Sequence, residues 1–148
     1  AMVSATGAGM AGSPGVAARV FKILGEARIN VLMISQGSSE AGSSFIVPRE
    51  KLRSATSTLE LGILGTESVK NIYTEDDVCV VAAVGAGMKG TPGVAARVFK
   101  AVANKGVNVR MIAQGSSELN ISFVVAEKDG PKAVRALHQE FELGKRSN

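Results

Sequence analysis

Apolar residues follow two different spacings along the chain, and these spacings predict a series of strands and helices. Residues 78–84 (VCVVAAV) form a short, almost entirely apolar run, which indicates a buried strand. A glycine-rich turn follows. The next apolar residues recur every three or four positions, as on one face of a helix: Val94, Ala95, Val98, Phe99 and Val102. The pattern then predicts strands over residues 107–113 and 119–126 and a second helix from residue 129.

The same pattern occurs earlier in the chain, displaced by about 78 residues. Residues 12–22 (GSPGVAARVFK) return as residues 90–100 (GTPGVAARVFK), and about 28 of 45 aligned residues are identical between the copies. The first copy predicts strands at residues 2–6, 29–35, 43–47 and 68–73, with helices at 14–26 and 49–61. The order βαββαβ is that of a ferredoxin-like unit. We therefore expect an α+β protein of two such domains packed together, with antiparallel sheets and helices on one face.

Each copy carries a glycine-rich turn between its first strand and first helix, at residues 7–12 and 85–90. The spacing GxGxxG at this place matches a dinucleotide-binding fingerprint. However, the chain returns to a hairpin after one crossover, and its second strands end in Gln36 and Gln114 rather than in the acidic residue that binds ribose. A turn that leads into a helix presents free N–H groups and the positive end of the helix dipole, which suits a carboxylate. Thr91 is expected to cap this helix and Pro92 to occupy its first position.

The glutamines at the ends of the second strands are candidate ligand contacts. A right-handed crossover makes the first and second strands parallel, so Gln36 and Gln114 lie at the same edge as the glycine turns. Their amides can bind an amine or hydroxyl group of a ligand whose carboxylate meets the helix. Asn30 and Asn108 lie at the opposite ends of these strands, roughly 20 Å away. They either contact a ligand across a domain interface or only cap the preceding turn.

Composition excludes several classes of site. The chain has 148 residues, is 45% hydrophobic and carries a net charge of +4, which fits one ordinary or two small folded domains. One cysteine, Cys79, allows no internal disulfide, and with one histidine, His138, it cannot form a metal site. Serine without a nearby base is not an activated nucleophile. We expect no cofactor, no metal, no membrane segment and a cytoplasmic location.

The repeated motifs together resemble the tandem ACT domains of aspartate kinase, over essentially the whole chain. The resemblance rests on residues 84–94 (VGAGMKGTPGV), 113–122 (AQGSSELNIS) and 136–141 (ALHQEF). It implies a regulatory region without catalytic residues, preceded in the full protein by the kinase domain, an ATP-dependent aspartate phosphotransferase. The two ACT domains are expected over residues 1–76 and 77–148. Family members exchange or share an edge strand between such domains.

The resemblance also implies a ligand. In the family, paired ACT domains bind threonine or lysine at domain interfaces and inhibit aspartate phosphorylation, which is feedback control of amino-acid biosynthesis. It implies effector contacts at Gln36 and Gln114, at the strand-opening asparagines, and in the two turns. The turn residues are Met10, Ser13, Pro14, Gly15 and Val16 in the first copy and Met88, Thr91, Pro92, Gly93 and Val94 in the second. The two methionines could instead fill the core.

The expected partners follow from the same resemblance. They are a free amino acid, threonine first and lysine second, and a second copy of the chain in a homodimer, with no nucleic acid and no membrane. The first copy departs from the motif, because Ala41-Gly42-Ser43 replaces Leu119-Asn120-Ile121 and Ala11 replaces Lys89. These changes weaken its third strand and leave open whether both copies bind effector.

The alternatives to a regulatory region are an RNA-recognition module and a catalytic domain. RNA-recognition modules share this strand order and stack bases on aromatic residues of the sheet. Here the matching strands carry mostly valine, alanine and serine, with Phe45 and Phe123 as their aromatic residues. A catalytic domain is disfavoured by the missing base and metal ligands.

Overall fold

The computed structural model describes residues 1–36 and 41–144, and the chain divides into two compact units. Unit 1 is Ala1–Asp76 and unit 2 is Asp77–Asn148. The strands within the described residues are β1 Met2–Thr6, β2 Met33–Gln36, β3 Gly42–Ile46, β4 Asn71–Glu75, β5 Val78–Val84, β6 Val109–Gln114 and β7 Asn120–Ala126. The α-helices are α1 Val16–Glu26, α2 Leu52–Gly62, α3 Val94–Asn104 and α4 Gly130–Glu140.

Each unit has one antiparallel sheet. The strand order is β2-β3-β1-β4 in unit 1 and β5-β7-β6 in unit 2. Since β1 and β2 are both antiparallel to β3, they run parallel to each other, as the crossover argument predicts. The α+β, ferredoxin-like fold is confirmed. Strand β4 pairs with β1 of its own unit, whereas residues 77–144 contain no fourth strand beside β5.

The helices pack on one face of each sheet and bury equivalent cores. In unit 1 this core includes Val3, Leu24, Phe45 and Leu59, none of which is exposed to solvent. The ring of Phe45 meets Phe21 edge to face at 5.8 Å, and Phe123 meets Phe99 in the same way at 5.7 Å. Both sheet phenylalanines are fully buried beneath helices. They cannot serve as a platform on which nucleic-acid bases stack.

The first helix of each unit begins later than the sequence predicts. Helices α1 and α3 begin at Val16 and Val94, each preceded by a glycine in the left-handed region (φ 86° at Gly15 and 87° at Gly93). The predictions that Thr91 caps the helix and that Pro92 opens it are wrong. The left-handed glycine turns the chain between the proline and the helix, and the Thr91 hydroxyl donates instead to the Gly87 carbonyl at 2.8 Å.

The second strand of each unit also begins later, at Met33 and Val109 rather than at residues 29 and 107. Ile29 is buried, and its N–H donates to the Leu24 carbonyl at 2.9 Å, so it belongs to the end of the helix. An apolar residue that closes a helix is indistinguishable in sequence from one that opens a buried strand. None of the described helices is long and apolar enough to cross a membrane.

Candidate functional site

A cavity of about 330 Å³ lies at the N-terminus of α1 in unit 1. The glycine turn and the first residues of the helix form most of it, and Gln36, the last residue of β2, reaches it from the sheet. Its lining residues are Met10, Gly12, Ser13, Pro14, Gly15, Val16, Ala17 and Gln36. The structure therefore brings together the predicted turn residues and the predicted glutamine of the first copy.

Unit 2 has the same cavity at the N-terminus of α3, again of about 330 Å³. Gln114, the last residue of β6, occupies the place of Gln36. The lining residues are Met88, Gly90, Thr91, Pro92, Gly93, Val94, Ala95, Gln114 and Glu118. The sequence repeat thus gives each unit an equivalent cavity at the N-terminus of its first helix.

The helix N-termini leave hydrogen-bond donors at both cavities. No side chain of the described residues caps α1 or α3. The backbone N–H groups of Arg19 and Arg97 donate to the carbonyl groups of the N-cap glycines. The preceding residues of the first turn, among them Val16 and Ala17, carry N–H groups that have no partner within a helix. The helix dipole adds positive potential at the same place. Among the described residues, no lysine, arginine or histidine lines either cavity.

Glu118 is a lining residue that the sequence analysis did not assign. Its Oε2 accepts a hydrogen bond of 2.8 Å from the N–H of Gly90, and its own backbone has a positive φ of 57°. The carboxylate places a negative charge at the rim of an otherwise neutral site. Its place in the repeated QGSSE motif could have identified it. The corresponding Glu40, with residues 37–39, lies outside the described residues.

Four other predicted residues, two asparagines and two methionines, differ in how they relate to the cavities. Asn30 and Asn108 are exposed, precede β2 and β6, and do not line the cavities. Met10 is 4% exposed, so it fills the core of unit 1 as well as lining the cavity, and Met88 is half-buried. The asparagines' contact with a ligand across a domain interface stays a prediction.

A larger, mostly apolar cavity of about 470 Å³ runs along β5 between α3 and α4. The equivalent edge in unit 1 is covered by β4, which pairs with β1. Arg97 and His138 lie at this cavity, and Arg97 is bonded to Glu140 at 2.8 Å and stacks on Phe141. It contains no cluster of groups suited to bind a polar metabolite.

The pKa values of Asp77 and Cys79 in unit 2 are shifted, and both groups lie away from the candidate site. The Arg110 guanidinium, 2.9 Å from Asp77, lowers the pKa of that carboxyl group. Burial raises the pKa of the Cys79 thiol, and the nearby carboxylates of Glu127 and Asp129 raise it further. Among the described residues no group of three His, Cys, Asp or Glu side chains could hold a metal ion.

The duplicated architecture matches a known family. The sequence profile described as "ACT domain" matches residues 3–61 and 81–141, once in each repeat. The chain belongs to the ACT domain family. Within that family it is similar to the regulatory subunit of aspartate kinase from Thermus thermophilus, with a TM-score of 0.81 and 34% identity over 95% of this chain and 91% of that one.

Longer relatives place this tandem ACT region inside multidomain enzymes. A chloroplastic bifunctional aspartokinase/homoserine dehydrogenase of Arabidopsis thaliana is 40% identical over 98% of this chain. The chain spans only 16% of that relative's length. Escherichia coli aspartokinase III, solved in complex with lysine and aspartate, has a TM-score of 0.73 and 25% identity over 93% of this chain and 30% of that one. The ACT pair therefore corresponds to the regulatory part of aspartate kinase and not to its catalytic part.

Proposed function

We propose that this ACT pair senses a free amino acid and controls an aspartate kinase by feedback. The observation that supports the proposal is the duplicated cavity, in which an uncapped helix N-terminus and a strand-end glutamine face the same small space. Threonine is the first candidate effector and lysine the second. Both can place a carboxylate on the helix and a polar group on the glutamine.

The electrostatics of the cavities favour a zwitterion over a phosphate. A phosphate carries up to two negative charges and is commonly bound by cationic side chains as well as by backbone N–H groups. The described residues that line the cavities include no cationic side chain, and the second cavity carries the carboxylate of Glu118. In a free amino acid, the positive charge of the α-ammonium group and the negative charge of the α-carboxylate group cancel. Its carboxylate matches the helix dipole, and its ammonium group matches Glu118 in unit 2.

Regulation requires that the effector prefer one arrangement of the protein. A ligand shifts an equilibrium only by its difference in affinity between two states. We infer that effector binding favours an arrangement of ACT domains that lowers aspartate phosphorylation by the kinase domain expected upstream. The expected position of the effector between ACT domains, the homodimer and the cytoplasmic location stay predictions.

Isothermal titration calorimetry of the chain with threonine, lysine and control amino acids tests the proposal. We expect threonine to bind, and we expect Gln36→Ala and Gln114→Ala each to weaken one site by about 1–3 kcal/mol, because a polar ligand group loses its partner. Gln139→Ala is a matched control, since Gln139 is an exposed residue of α4 outside both cavities.

Two results would contradict different parts of this proposal. If no amino acid binds the unmutated chain, the sensing function is wrong. If threonine binds with the same affinity after both glutamine substitutions, an amino acid is sensed but not in these cavities.

A further inference from the structure

Unit 1 contains a buried hydroxyl group that has no hydrogen-bond partner among the described residues. Ser43 in β3 is 2% exposed, and its Oγ has no hydrogen-bond partner among the described residues. Buried polar groups are nearly always paired, so an unpaired one needs an explanation. The next residue, Ser44, shows the ordinary situation, because its hydroxyl group is bonded to that of Ser4 at 2.7 Å.

The sheet register places Ser43 beside the residue that marks the cavity. Ser43 lies directly opposite Gln36 on β2 and opposite Ala5 on β1, so these three side chains share one face of the sheet. Directly opposed residues have Cβ atoms roughly 5 Å apart. This face carries the core under the helices, and the turn that builds the cavity follows β1 immediately. Ser43 is not one of the residues that line the cavity, but it lies in the same row of the sheet as Gln36, which does line it.

The equivalent row of unit 2 has no polar group at this position. There Gln114 and Ala83 flank Ile121, which is 1% exposed and belongs to the core. The two cavities have about the same volume and an equivalent glutamine, but they differ in the residue beside that glutamine. Ser43 is one of the residues by which the first repeat departs from the second.

We propose that Ser43 determines the ligand specificity of the unit 1 site. Its hydroxyl group, buried without a partner among the described residues, hydrogen-bonds a polar group on the side chain of the bound amino acid, next to the contact from Gln36. The unit 1 site therefore selects a hydroxyl-bearing amino acid over its apolar isostere, whereas the unit 2 site, with Ile121, makes this distinction less strongly. This inference rests on the proposed sensing function.

The pair threonine and valine tests the inference, because the two ligands differ only in a hydroxyl group and a methyl group. Calorimetry is done in a Gln114→Ala background, which weakens unit 2 and isolates the unit 1 site. We expect Ser43→Ala to lower the threonine-to-valine affinity ratio about five- to tenfold, the effect of one lost hydrogen bond. Ser43→Thr retains a hydroxyl group and is expected to keep the ratio within about twofold.

Ser44→Ala is the matched control, since it removes a hydroxyl group from the adjacent residue on the opposite face of β3. We expect it to leave the ratio unchanged. Thermal unfolding gives a second measurement: Ser43→Ala should not lower the melting temperature, because it removes an unpaired group, whereas Ser44→Ala should lower it.

Three outcomes would overturn the inference. If threonine binds but Ser43→Ala leaves the ratio unchanged, Ser43 does not contact the ligand, and the sensing function stands. If Ser44→Ala lowers the ratio as much as Ser43→Ala, the effect is not local to Ser43. If neither threonine nor valine binds the unmutated chain, the inference fails, and the sensing function fails with it only if lysine and the control amino acids do not bind either.

Discussion

Gly9 and Gly87 occupy the same position of the two repeats, and we predict that alanine is tolerated at only one of them. Both lie in the turn before the first helix of their unit. At Gly87 no heavy atom of the described residues, apart from its chain neighbours, lies within 4 Å of the place where a Cβ atom would be. At Gly9, by contrast, a Cβ atom would overlap the carbonyl oxygen of Glu67 and lie 3.0 Å from its carbonyl carbon.

The atoms that a Cβ atom at Gly9 would overlap belong to the backbone, so no side-chain rotation can relieve the clash. The segment that contains Glu67 is fixed by Val69, which is fully buried, and by the Lys70 N–H, which donates to the Thr6 carbonyl at 2.9 Å. Forcing packed backbone apart costs about 1–3 kcal/mol, and a strained or lost hydrogen bond costs about 1 kcal/mol more. We therefore expect Gly9→Ala to lower the free energy of unfolding by about 2–4 kcal/mol.

Gly87→Ala is the matched control, and its effect should stay within about 0.5 kcal/mol. Differential scanning calorimetry distinguishes the two. For a unit of this size, the Gly9→Ala loss corresponds to a melting temperature lowered by roughly 10–20 °C. Equal losses in both variants, or a loss in Gly87→Ala alone, would refute the steric argument. Equal losses would instead indicate that the glycines are needed for a backbone conformation common to both turns.

Further predictions concern unit 2. Arg97→Ala should lower the free energy of unfolding by about 1 kcal/mol in urea denaturation, because it breaks the half-exposed ion pair with Glu140 and the contact with Phe141. An unchanged urea midpoint would contradict this. Because the pKa of Asp77 is lowered, its ionised carboxylate stabilises the fold at pH values above the usual pKa of 3.8. This contribution is lost as pH falls through the lowered pKa of the folded state, so the stability difference between Asp77→Asn and the unmutated chain should vanish in acid. A difference that persists at pH 2 would refute the assignment. Because the pKa of Cys79 is raised, iodoacetamide should alkylate it more slowly in the native chain than in urea.

The sequence predicts the elements well wherever an apolar pattern has one explanation. The order of strands and helices, the parallel direction of β1 and β2, and the meeting of each glutamine with its glycine turn all follow from periodicity and crossover handedness. The predicted first residues of α1 and α3 were wrong, because a Pro-Gly pair fits either the first turn of a helix or a turn that precedes the helix. Only the left-handed φ of Gly15 and Gly93 distinguishes these cases.

The asymmetry between the two repeats could not be predicted in the same way. Close packing at Gly9 depends on a segment about 60 residues later in the chain, and no described residue packs as closely on Gly87. The unpaired state of Ser43 depends on cross-strand register, which a serine in an otherwise ordinary strand does not reveal. Glu118 required the backbone geometry of its turn before its contact with Gly90 was evident. These features arise from contacts between distant parts of the chain.

Amide mapping of bound threonine by ¹⁵N NMR tests the central claim most directly. If the duplicated cavities bind an amino acid, the largest shift changes will fall on the backbone amides of residues 15–17 and 93–95 and on the side-chain amides of Gln36 and Gln114. Changes concentrated along β5 and α4, or no change at saturating threonine, would contradict the account.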